Sequence, residues 1–119
     1  MNLTQNSGYR EIVLGAQDLD DFAVDESFLR VLGESDEALV INLRQFAVMH
    51  SGEVLSLARW LAEVNSFTEA RIVLFAGHFP GIILQGIMGH IYSVFTVREE
   101  LVTAVRQEVA VSEKDMLWS

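Results

Sequence analysis

The 119-residue chain contains no cysteine. That removes disulfides, thiolate metal sites and cysteine nucleophiles from consideration, and it fits a reducing cytoplasm. Proline occurs once, at Pro80, and glycine eight times, which argues against a low-complexity or collagen-like chain. Positive charge is scarce: eight Lys and Arg stand against 17 Asp and Glu, for a net charge of −9. A nucleic-acid backbone would be repelled by that field, so nucleic acid is not an expected partner. An anionic membrane surface is disfavoured for the same reason. Residues Met1 to Gly8 have neither a basic segment nor an apolar one, so no signal peptide is expected, and the expected location is the cytoplasm. The longest stretch free of charged side chains, Ile72 to Val97, is long enough to raise a membrane-spanning reading. His78, Pro80, Gln85, His90 and several glycines interrupt it, so a strand, a loop, a helix and a second strand describe it better than membrane insertion.

Half of the residues are hydrophobic and 21% are charged, a balance that supports one buried core rather than disorder. The length suits a single domain that needs no covalent staple. Met1–Ser7 reads as a loose tail, so residues 1–8 are expected to lie outside a domain spanning 9–110, with a second tail at 111–119. Tyr9–Leu14 ends in three apolar residues and reads as a strand. Asp25–Leu32 has Phe28, Leu29 and Leu32 at helical spacing, with Asp25 as its cap and Gly33 as its stop. Ala38–Leu43 and Arg71–Phe75 are short apolar runs rich in β-branched residues, as strands buried on both faces should be. Between them Val54, Leu57, Ala58, Leu61 and Val64 line one face of a helix over Gly52–Asn65, with Ser51 near its N-cap. Ala76–Gly81 reads as a loop and Gly81–Met88 as an apolar helix capped by Gly89. Tyr92–Phe95 reads as a strand, followed by a helix to Val109 with Thr96 and Glu99 as a capping box. Strands alternating with helices predict an α/β fold: a mostly parallel sheet of about four to five strands with about four helices.

The chemistry these residues permit is narrow. Gly77 and Gly81 bracket a strand–helix junction, but neither a dinucleotide fingerprint nor a P-loop is present, and no cofactor is expected. His50 and His78 both follow strands, yet neither has another metal ligand at a ligating spacing, so they read as loop histidines rather than a metal site. Ser51 beside His50 superficially resembles a hydrolase elbow. Positions 49–53 read Met-His-Ser-Gly-Glu, however, which is not the nucleophile-elbow pattern, so no catalytic residue is expected. Two other uses of Ser51 stay open. It can cap the helix, or it can carry a phosphate, which adds roughly −1.5 to −2 charges and three acceptor oxygens at a helix end that favours anions.

From Ala38 to Val105 the order of features resembles the STAS domain, the fold of bacterial anti-sigma-factor antagonists and of sulphate-transporter tails. The family's V-L-D-L strand, loop and D-S-S/T-G motif resemble Val40-Ile-Asn-Leu43 and Met49-His50-Ser51-Gly52. Its L-x-x-x-x-G-hydrophobic signature is similar to Leu84–Ile91, and its closing strand and helix to Val94–Val105. The resemblance implies a STAS-like single-domain sandwich that is not an enzyme and that binds a serine kinase and anti-sigma factor of the histidine-kinase-like ATPase type. It implies phosphorylation of Ser51 as the switch. The partner surface it implies is made of Met49, His50, Ser51, Gly52, Glu53 and Leu55, together with His78 and Phe79. It equally allows a constitutive subunit of a larger assembly, such as a stressosome-like or lipid-transport complex. Met49 and Asn42 stand where the family has acidic residues.

Overall fold

The computed structural model describes residues 2–6, 8–15, 30, 33 and 37–106. Five strands form one sheet: β1 (Asn2–Asn6), β2 (Tyr9–Val13), β3 (Ala38–Asn42), β4 (Ile72–Phe75) and β5 (Ser93–Phe95). Helix α1 (Ser51–Phe67) joins β3 to β4, α2 (His78–Met88) joins β4 to β5, and α3 covers 98–106. The spatial order is the sequence order, with β1 antiparallel to β2 and every other pair parallel. Among the described residues this is an α/β fold with a five-stranded, mostly parallel sheet and three helices.

Strands β3 and β4 are apolar at nearly every successive position because both faces of the sheet are covered there. Ile12, Leu14, Leu39, Ile41, Leu43, Ile72, Leu74 and Ala76 point to one face and meet α1 and α2. Tyr9, Val40, Val73 and Phe75 point to the other and meet Leu101 and Val105 of α3. Two successive crossovers that advance in the same direction with the same hand must place their helices on the same face, which is why α1 and α2 share a side. Trp60, Leu57 and Leu61 of α1 and Leu84 of α2 are fully buried there, each stabilising the fold by about 1.5–3 kcal/mol through removal from water.

Several boundaries differ from expectation. Residues 2–6 are not a tail: they form β1, paired in register with β2 from Asn2 opposite Val13 to Asn6 opposite Tyr9. Gly8, in the turn that precedes β2, has φ +90°, a conformation that favours glycine. Helix α2 begins at His78, so most of the expected 76–81 loop is helical. Pro80 is tolerated because in the first turn its missing N–H has no helical acceptor to serve. Gly89 does follow the helix, at φ −61°, and space favours it: a Cβ there would strike the Gln85 carbonyl oxygen. Helix α3 starts at 98, with the Leu101 N–H on the Val97 carbonyl, so Thr96 is not its cap. The expected helix at Asp25–Leu32 and the end of the last helix at Val109 lie outside the described residues, as does the 111–119 tail, apart from the helical positions Arg30 and Gly33. Among the described residues no helix is long and apolar enough to cross a membrane.

Candidate functional site

Parallel strands deliver their carboxyl ends, and the amino ends of the helices that follow, to one edge of the sheet. That edge carries the loop 43–50 leading into α1 and the short 76–77 turn leading into α2. The two meet in space: a Cβ on Gly77 would lie 4.0 Å from the Phe46 carbonyl oxygen. The loop after β3 is pinned from inside by Phe46 and Met49, both buried in the core beneath α1. Met49 is 3% exposed, so its side chain is withdrawn from any partner surface. His50, Ser51, Gly52 and Leu55 are exposed, and Glu53 is half-buried. His78 and Phe79, the first residues of α2, are exposed as well, their rings edge-to-face at 5.5 Å.

Ser51 is not the helix cap. His50 holds the cap position, and Ser51 is the first helical residue. The cap interaction comes from Glu53, whose Oε1 accepts the His50 N–H at 3.0 Å. A Glu at the third helical position serves this purpose, and its charge also suits the positive end of the helix. Among the described residues no hydrogen bond engages the Ser51 hydroxyl. Among the described residues no hydrogen bond joins His50 to it, as the serine–base pair of an acyl-transfer site would require. No group of three metal-ligating side chains comes together among the described residues.

The opposite face of the sheet holds a polar cluster that no local motif announces. Glu11 of β2 is buried, and its carboxylate accepts hydrogen bonds from both terminal nitrogens of Arg98, the second at 3.1 Å, and from Asn42 Nδ2 at 3.0 Å. Arg98 also donates to the Tyr9 hydroxyl at 3.4 Å, and its guanidinium lies 4.6 Å from the centre of the Phe75 ring. The Arg44 guanidinium lies 5.3 Å from the same ring. Burial pushes the Glu11 carboxyl upward, but the hydrogen bonds from Arg98 and Asn42 and the Arg98 charge outweigh it and hold the group below its ordinary value. The hydrogen bond to Glu11 raises Arg98 in turn. The hydrogen bonds from Arg98 to Glu11 tie α3 to the sheet.

Asn42 links that tie to the loop. Its Nδ2 donates to Glu11, and its Oδ1 accepts the Arg44 backbone N–H at 2.9 Å. An aspartate at this position would set a second carboxylate against Glu11 and lose the donor. A carboxylate at position 42 is thus disfavoured beside the buried Glu11. The visible signal was a polar residue inside the apolar run Ala38–Leu43.

No family model matches the chain, and no curated protein and no solved structure does so.

Proposed function

We propose that the chain is a non-enzymatic, STAS-like regulatory binding module, switched by phosphorylation of Ser51. Its partner is a serine kinase and anti-sigma factor of the histidine-kinase-like ATPase type. The observation that carries this reading is the state of Ser51: exposed, first in α1, and relieved of capping by Glu53. A hydroxyl with no structural duty can be modified without unfolding the helix. The first amides of α1 and the positive end of its dipole accommodate a phosphate there. The surface around it is apolar and accessible at Leu55 and Phe79. An unmodified serine leaves that surface free to dock, whereas a dianion adds charge that docking would have to strip of water. The sequence order of the STAS-like features supports the same assignment.

The test is a pull-down from the native host with wild type, Ser51→Ala and Ser51→Asp, read by mass spectrometry. Retention of an ATPase partner by Ser51→Ala and its loss from Ser51→Asp is the expected result. Retention of one partner by all three variants would instead select a constitutive subunit of a larger complex, a reading favoured by the exposed isoleucines of α2.

A further inference from the structure

Helix α2 buries one side and leaves the other apolar. Pro80, Gly81, Leu84 and Met88 face the protein. Phe79, Ile82, Ile83 and Ile87 face away, with exposures from 39% at Ile83 to 71% at Phe79, and Ile91 in the turn beyond is 65% exposed. At 100° per residue these four helical positions form a stripe centred near Gly86. Gly86 is itself anomalous. It sits in a helix, where glycine is unfavourable. Its φ is not positive, and a Cβ built on it meets nothing within 4 Å. Nothing in the described chain requires a glycine there. A second helix crossing the stripe would, because a residue without a side chain lets two helix backbones approach closely.

We propose that a second copy of this chain docks on this stripe, α2 against α2, in a symmetric dimer. Two observations select a copy over a different partner. The first is charge. The chain carries −9, yet from Ile72 to Val97 it has no Asp, Glu, Lys or Arg. A basic partner steered by the acidic field would find nothing to pair with on this stripe. Two copies meeting here bring together the one long segment that is free of their mutual repulsion. The second is area. Taking roughly 200 Å² of surface per large apolar residue, the exposed parts of Phe79, Ile82, Ile83, Ile87 and Ile91 amount to on the order of 500–600 Å² per copy. A pair therefore buries about 1,000–1,200 Å², the lower limit of specific interfaces and the size of weak or transient complexes. A groove of about 310 Å³ beside the stripe, lined by His78, Gly81, Ile82, Gln85, Val94 and Thr96, offers room for a partner's side chain. The dimer goes beyond the Ser51 switch and shares Phe79 with the surface proposed for the kinase, so the two complexes compete there; loss of that switch would leave the dimer standing.

Sedimentation velocity of the full chain from about 5 to 500 μM tests it. Wild type is expected to shift with concentration from the 13.3 kDa chain mass toward twice that value. The association should tighten as salt rises, because screening removes like-charge repulsion. Ile83→Glu and Gly86→Arg are expected to weaken it at least a hundredfold while keeping the wild-type circular dichroism. Phe67→Glu, at the far end of α1 and also exposed, should leave it unchanged. A wild-type monomer at every concentration overturns the proposal, whether or not the stripe then binds another protein or a neutral lipid vesicle. So does a dimer that Ile83→Glu and Gly86→Arg leave intact.

Discussion

Replacing Arg98 by alanine should destabilise the fold by about 3 kcal/mol at neutral pH, and the loss should shrink as the solution is acidified. The side chain makes two hydrogen bonds to the Glu11 carboxylate, one to Tyr9, and a cation–π contact with Phe75. Its removal strands a carboxylate whose side chain is only 9% exposed, with Asn42 as its remaining described partner. Breaking a buried ion pair by deleting one member typically costs about 3–5 kcal/mol. The Arg98 side chain is 42% exposed, so water reaches the vacated site and reduces that loss to about 2–3 kcal/mol. The contact with Phe75 adds about 0.5–1 kcal/mol. In wild type the Glu11 carboxyl is held below its ordinary value. Its contribution is therefore full above the unfolded pKa of about 4.3 and fades as pH falls through the folded value. In Arg98→Ala the opposing influence of burial acts with less resistance, so Glu11 takes up its proton earlier and the variant approaches wild type in acid. Urea unfolding followed by circular dichroism at pH 7 and at about pH 3.5, with Glu11→Gln completing a double-mutant cycle, measures both effects. A cost below about 1 kcal/mol at pH 7, or a cost that does not fall in acid, would refute the ion pair as the tie between α3 and the sheet.

Asn42→Asp should cost about 2–3 kcal/mol at pH 7 through repulsion of Glu11 and loss of its donor, and Glu11→Gln should restore most of it; equilibrium unfolding of the two single variants and the double checks this. Ser51→Ala should change stability by less than about 0.5 kcal/mol, whereas Glu53→Ala should cost about 0.5–1 kcal/mol as the cap interaction is lost; thermal melts of both separate the cap from the switch. Gly86→Ala should raise stability by about 0.5–1 kcal/mol because its Cβ meets open space, while Gly89→Ala should lower it because its Cβ would strike the Gln85 carbonyl, again read by urea midpoints.

The central layer of the fold was legible because its signals are local. The apolar runs at 38–43 and 71–75 became β3 and β4, and the helical spacing of Val54, Leu57, Leu61 and Val64 became the buried side of α1. Strand β1 was missed because Asn-Leu-Thr-Gln-Asn has little β propensity of its own. Pairing with β2 makes it a strand, and the Ser7-Gly8 dipeptide was the available hint. The first turn of α2 lies in the 76–81 segment, whose glycines suggest a loop, whereas proline is compatible with a helix start. Ser51, expected near the N-cap, stands one residue after it, at the first helical position. Glu53 carried the information: a glutamate at the third helical position puts the cap at His50. The Glu11–Arg98 pair joins residues 87 apart in the chain, and no spacing rule reaches that far.

The display of Ser51 depends on what is buried around it. The loop from β3 to α1 is fastened at three points: the Arg44 N–H on Asn42, Phe46 in the core, and Met49 in the core. Two of those three fasteners, Asn42 and Met49, are the residues at which the sequence departs from the acidic motif it otherwise resembles. In this chain those positions hold the loop in place, and their side chains are unavailable to a kinase. If Ser51 is phosphorylated as proposed, its recognition rests on the groups that remain outside: His50, the partly exposed Glu53, Leu55 on the next turn, and the His78–Phe79 pair across the edge. That set is more apolar than the acidic pattern it replaces. A kinase acting on this chain would accordingly bind through hydrophobic contact with Leu55 and Phe79, and charge reversal at Glu53 should matter less to it than truncation of Phe79.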